Sequence, residues 1–188
     1  LLIIKMKKSI LVWAVVISVS LLYSCGNSSN QSTSAKRKSN EIVQKEDGTI
    51  SLHVDNADCY SDMLNPSVNT AEWSVVVSKS GRYNVWLSSA TKDTTDLNYK
   101  SKVLVSVQDT RIEGRPGCDK IILDSKDVAY PYFRADSFMG SMYIQDTGVF
   151  NVQVISEQIL PKDYSINDMS GADLSKLLCV SFTPEKRN

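Results

Sequence analysis

A single histidine, His53, is all that this 188-residue chain contains, so a multi-histidine zinc site is excluded and imidazole chemistry has one candidate. No G-x-S-x-G elbow, H-E-x-x-H pair or phosphate-cradling loop is present. Net charge is lacking too, 21 Lys and Arg standing against 21 Asp and Glu, with no long basic block. Nucleic acid, bound mainly by neutralising phosphates, is therefore not expected as a partner. No uncharged apolar run reaches the ~20 residues that span a hydrocarbon core. Helical periodicity is scarce as well, confined to brief stretches at Tyr60–Leu64 and Met169–Lys176, and no repeat recurs at a fixed period. A paired-carboxylate glycosidase leaves no local pattern, since its acids come from distant segments. Without any motif, the expectation is a non-catalytic protein.

The first forty residues carry an address. Lys5, Lys7 and Lys8 flank Met6 and precede the uncharged run Ser9–Leu22, the arrangement of a secretory signal, with Met6 the expected start. Leu22-Tyr23-Ser24-Cys25-Gly26 resembles the lipobox of bacterial lipoproteins. That resemblance implies cleavage before Cys25 and acylation there with diacylglyceryl and palmitate-like chains, and two or three chains anchor stably. Gly26 rather than Asp after the cysteine implies, in that family, passage to the outer membrane. The absence of an acidic cluster in GNSSNQSTSAKRKSN favours the periplasmic side. This Ser/Asn-rich stretch reads as a flexible tether, so the expected organisation is signal 1–24, lipidated cysteine and tether 25–40, and a folded domain 41–188. Loss of three lysines with the signal leaves the remainder mildly acidic, better suited to a neutral sugar or a protein than to a phosphate-rich ligand.

From Glu41 onward period-2 alternation dominates. Strands are expected at Ile50–Val54, Trp73–Val77, Tyr83–Leu87, Ser101–Gln108, Lys120–Leu123, Ser137–Gln145, Val149–Ile155 and Lys176–Phe182, with a turn over Arg111–Gly117. Ser80-Gly81 joins the second and third as a hairpin, and Asp146-Thr147-Gly148 precedes the seventh. Seven or eight short strands imply an all-β fold, an antiparallel two-sheet β-sandwich. Four blocks in order, EWSVVV, SGRYNVWL, MGSMYI with TGVFNVQV, and the closing Leu177–Pro184, resemble galactose-binding-like jelly rolls related to carbohydrate-binding modules. The resemblance covers most of residues 50–184 and implies a jelly roll whose ligand is a carbohydrate, a glycan or cell-envelope saccharide. A structural or assembly lipoprotein binding an envelope protein is the alternative, and a hydrolase a third.

Sugar recognition stacks apolar ring faces on exposed aromatic planes and adds a few polar contacts. Tyr130, Tyr132 and Phe133 occupy a loop where, by the resemblance, related modules place a stacking aromatic; a proline-fixed turn covering the sandwich end is the competing reading. Trp86 is out of phase with Tyr83, Val85 and Leu87 and so is either a platform or packing on the far face, whereas Trp73 shares the core face of Val75 and Val77. Tyr60 and Tyr99 are further loop candidates, and Arg134, with Arg111 and Arg115, can bind hydroxyls or acidic groups. No cofactor is expected beyond structural calcium. For that ion Asp55, Asp58 and Asp62, with Asn56, offer oxygens, or else make Asx turns. The calcium-binding pattern of the similar jelly rolls, a Glu-x-Glu on the first strand and an Asp near the last, is replaced here by Ser51 and His53 and by no Asp in 177–182. Beyond Cys25, at most one disulfide can form among Cys59, Cys118 and Cys179; Cys179 reads as buried, which leaves Cys59 with Cys118 as the pair to consider.

Overall fold

The computed structural model describes residues 41–160 and 175–186. The expected signal, Cys25 with its lipobox, the tether, and all but the last two residues of the Met169–Lys176 helix lie outside them. The described chain is an all-β sandwich of two sheets, antiparallel except at one short edge pairing. In chain order the strands are β1 (Ile42–Val43), β2 (Ile50–His53), β3 (Asp58–Tyr60), β4 (Thr70–Val77), β5 (Gly81–Thr91) and β6 (Val103–Val107). They continue with β7 (Thr110–Gly114), β8 (Lys120–Ile122), β9 (Phe133–Ile144), β10 (Gly148–Ile155) and β11 (Lys176–Pro184). The first sheet runs β1-β4-β10-β6-β7 with β3 also beside β4, and the second runs β2-β11-β5-β9-β8.

Alternation builds the core. In β4, Ala71, Trp73, Val75 and Val77 point inward; in β5, Tyr83, Val85 and Leu87 meet them from the other sheet, joined by Val152, Val154, Val180 and Phe182. Trp73 is a core residue as expected, and its indole Nε1 donates to the His53 carbonyl oxygen at 2.9 Å, joining the first sheet to the end of β2.

Eleven strands among the described residues exceed the seven or eight expected because β1, β3 and β7 carry no readable alternation. Two or three residues are too few to show a period, and β7 (TRIEG) turns only Ile112 toward the core while Arg111 and Glu113 face water. The turn expected over Arg111–Gly117 is thus strand as far as Gly114, a short charged edge of the kind that discourages edge-to-edge pairing. Tyr60–Leu64 is not helical: Tyr60 ends β3, and Lys176 opens β11. The β1–β4 pairing is parallel, Ile42 opposite Val75 and Val43 opposite Val76. Just after β1, Gln44 turns inward and its amide bonds Gly48, Ser78, Lys79 and Tyr83.

Candidate functional site

The outer face of the second sheet is organised by the β5–β9 pair. Period 2 sends Tyr83, Val85 and Leu87 to the core, hence Asn84, Trp86 and Ser88 to the opposite side. On β9 a bulge decides what meets them. Val85 is opposite Gly140 but Trp86 is opposite Phe138, so Met139 is the extra residue and packs toward the core. Gly140, at φ +122°, takes the backbone conformation that other residues adopt poorly. In an unbroken register Trp86 would oppose Met139. The bulge is pinned from β8's side: the Phe138 amide donates to Asp119 Oδ2 at 2.6 Å, and the Ser137 hydroxyl donates to the Gly117 carbonyl.

The consequence is an aromatic pair on open sheet. The Trp86 and Phe138 ring centroids are 5.1 Å apart with planes tilted by 49°, within the favoured range for aromatic contacts. Phe138 is 46% exposed and Trp86 half-buried. On one flank the Ser141 hydroxyl donates to Asn84 Oδ1 at 2.7 Å. On the other, the Ser88 hydroxyl and Arg134 Nε both donate to Asp136 Oδ1 at 2.8 Å, and Arg134 Nη1 donates to Asp127 Oδ2 at 2.5 Å. Burial pulls the Arg134 pKa down, but the hydrogen bonds and charges of Asp136 and Asp127 outweigh it and the net shift is upward. Two carboxylates thus fix the guanidinium in place.

Cys179 is buried as expected, yet it stands on this face. A register shift after Leu177 places it opposite both Ser88 and His53. Burial pushes its thiol pKa up to about 11, outweighing the Leu52 backbone hydrogen bond and Arg134, which lower it. The thiolate is the nucleophile, so Cys179 is expected to resist iodoacetamide at pH 7.5 in the folded protein and to alkylate in urea. Peptide mass mapping checks this; equal labelling in both states would show that the cover over Cys179 opens readily.

The remaining sequence candidates separate. Tyr130 is 89% exposed, and its peptide bond to Pro131 is cis. Tyr132, placed by the sequence reading among the stacking aromatics, is only 6% exposed, with Lys92 Nζ 4.9 Å from its ring centre, so no ring face is open to a ligand. Phe133 is half-buried and opens β9 opposite Thr91. Tyr99, expected in a loop, is buried with its hydroxyl 2.9 Å from that of Ser89, and burial raises its pKa. Tyr60 and Arg111 are exposed away from the pair, and Arg115 Nη2 donates to the Lys100 carbonyl at 3.1 Å.

Asp62 Oδ1 accepts the Leu64 and Asn65 amides at 2.8 and 3.1 Å, an Asx turn, while Asp55 and Asp58 are exposed. Among the described residues no three His, Cys, Asp or Glu side chains gather to hold a metal ion. Cys59 and Cys118 are not joined by a disulfide: Cys59 lies in β3 of the first sheet, and Cys118 just before β8, at the edge of the second.

Of the residues on this face the sequence reading named Trp86 and Arg134 as candidates and did not name Phe138, Asn84, Ser88, Asp136 or Ser141. One signal was present: an isolated glycine inside a strand pattern, here Gly140, marks a bulge and a change of facing.

No protein-family model and no curated protein sequence matches the chain. Among solved structures, an α-L-fucosidase from Vibrio sp. strain EJY3 superposes with a TM-score of 0.61 at 21% identity, over 78% of this chain and 24% of that one. A GH26-CBM35 β-(1,4)-mannanase from Podospora anserina aligns at TM-score 0.43 and 8% identity over 76% of this chain and 29% of that one. The likeness to the fucosidase is one of fold. The chain spans about a quarter of that enzyme's length.

Proposed function

We propose that this is a lipid-anchored, non-catalytic protein of the cell envelope, facing the periplasm from the outer membrane, whose sandwich binds carbohydrate. One observation carries the ligand assignment: the Trp86–Phe138 pair lies open on a sheet face between an amide-hydroxyl pair and a guanidinium-carboxylate cluster. Aromatic planes take the C–H faces of sugar rings, and fixed donors and acceptors on either side take their hydroxyls. The β-sandwich shared with the fucosidase supports the reading at the level of fold. Tyr132 has no place in the site, and Tyr130 lies in the loop preceding β9.

A glycan array probed with the full chain tests the assignment, with binding to neutral or weakly acidic saccharides expected. Absence of any saccharide binding at millimolar concentration, with an envelope protein co-purifying, would favour the protein-partner reading instead. The anchor has its own test. Cells that process lipoproteins are expected to incorporate labelled palmitate into the chain and to lose the label in Cys25→Ala; retained label would dispose of the Cys25 anchor.

A further inference from the structure

The outer face of the second sheet does not stop at the Trp86–Phe138 pair. Toward the β4–β5 turn the β5–β9 register adds two more rows, Asn84 opposite Ser141 and then Arg82 opposite Tyr143. Period 2 puts Tyr143 on this face: its neighbours Met142 and Ile144 are buried in the core, whereas Tyr143 is 51% exposed. On β11, along the other side of β5, Ser181 stands beside Trp86 and Thr183 beside Asn84.

These rows form a trough along the strands. Its ends are tall, Trp86 with Phe138 at one and Tyr143 with Arg82 at the other, and the row between them, Thr183, Asn84 and Ser141, is short and polar. The Ser141 hydroxyl donates to Asn84 Oδ1 at 2.7 Å and the Thr183 hydroxyl to the Asn84 carbonyl at 3.4 Å. Both hydroxyl oxygens keep lone pairs, and the Asn84 amide adds N–H donors. Trp86 and Arg82 are four positions apart on β5, which at about 3.4 Å per residue separates the ends by about 14 Å.

The Tyr143 end is concave. A cavity of about 500 Å³ opens there, its wall including Tyr143, Arg82, Lys79, Asp47, Pro184 and Glu185. The charges of the lining balance, Lys79 and Arg82 against Asp47 and Glu185, and Arg82 Nε lies 3.5 Å from Glu185 Oε2. An aromatic ring beside internally neutralised polar groups suits a neutral, hydroxyl-rich ligand better than an ion.

Magnitude decides between one sugar and a chain of them. A single ring stacked on an open sheet leaves its other face in water, and so small a covered area does not offset the freedom lost on association. A second stack made by the same molecule is intramolecular and adds to the first without a second loss of that freedom. Two rings joined through one oxygen are too short to rest on both ends of the trough. We propose that the ligand of this face is a linear, uncharged oligosaccharide longer than a disaccharide, lying along the strands with one unit on Trp86 and Phe138 and a later unit on Tyr143 in the cavity. This rests on the saccharide reading of the Trp86–Phe138 pair and adds a second subsite to it.

The test is calorimetric titration of the full chain with the di-, tetra- and hexasaccharide of each backbone that binds on the glycan array, the β-1,4-linked glucose, mannose, xylose and N-acetylglucosamine series being included in every case. Affinity is expected to rise at least tenfold from disaccharide to tetrasaccharide and to change little beyond it. Tyr143→Ala, at an exposed position, is expected to lower tetrasaccharide affinity at least tenfold and to leave disaccharide affinity unchanged, while Tyr143→Phe, which keeps the ring, stays within about twofold of wild type. Trp86→Ala is expected to weaken every length. Affinity independent of length, or a Tyr143→Ala protein that binds the tetrasaccharide as wild type does, would overturn the second subsite and leave the saccharide reading of the Trp86–Phe138 pair standing. Failure of every array glycan and every series to bind would overturn both.

Discussion

Trp86→Ala is expected to weaken saccharide binding about twentyfold while leaving the fold in place. A sugar ring stacked on the indole covers about 70 Å² of apolar surface, and at about 25 cal/mol per Å² its loss is worth about 1.8 kcal/mol. That converts to about twentyfold in affinity. The indole also contacts Phe138, with ring centroids 5.1 Å apart, so removing Trp86 frees the Phe138 ring to move. Phe138→Ala is therefore expected to cost nearly as much, and the double variant less than the product of the two losses, because contacting residues do not act additively. Calorimetric titration of the best array ligand reads all three, with circular dichroism to confirm folding. Wild-type affinity in Trp86→Ala would remove the outer face of the second sheet from consideration as the sugar site.

Gln44→Ala is expected to be among the most damaging single changes to stability, at about 3–5 kcal/mol. Gln44 Nε2 donates to the Gly48 carbonyl and to the Tyr83 hydroxyl oxygen, both at 2.7 Å. Its Oε1 accepts the Ser78 amide at 2.9 Å, the Ser78 hydroxyl at 3.1 Å and the Lys79 amide at 2.8 Å, while the Tyr83 hydroxyl donates onward to the Lys79 carbonyl at 2.5 Å. Alanine strands these groups at the β4–β5 turn and leaves a void besides. Gln44→Met fills the void without making the bonds, and is expected to recover only part of the loss. Urea denaturation of the three proteins measures it. A cost below about 1 kcal/mol would mean that the segment before β2 contributes little and that the domain begins later than Glu41.

Much of the sandwich was legible because its long strands alternate cleanly. AEWSVVV and RYNVWL announce a hairpin, and the same phase argument put Trp73 inside and Trp86 on the opposite face. Two things escaped it. Tyr132 reads as a loop aromatic beside a proline, and what covers its ring is Lys92, forty positions earlier in the chain, a contact that no local pattern encodes. Phe138 reads as one more strand residue of uncertain facing, because the inserted Met139 breaks the phase between it and Ser141. Phase reasoning holds only between irregularities, and here the irregularity set the Trp86–Phe138 pair.

The parallel β1–β4 pairing has a mechanical side. Chain entering at Glu41 runs alongside β4 toward the Ser78–Lys79 turn, where Gln44 is bolted by its amide. Tension applied at that entry point directs its pull along the strand, so the bonds of β1 and the Gln44 bolt share the load in shear instead of parting one after another. Entry is at an edge of the first sheet, and the Trp86–Phe138 surface lies on the other sheet, so load carried by β1 reaches that surface only through the packed core between the sheets.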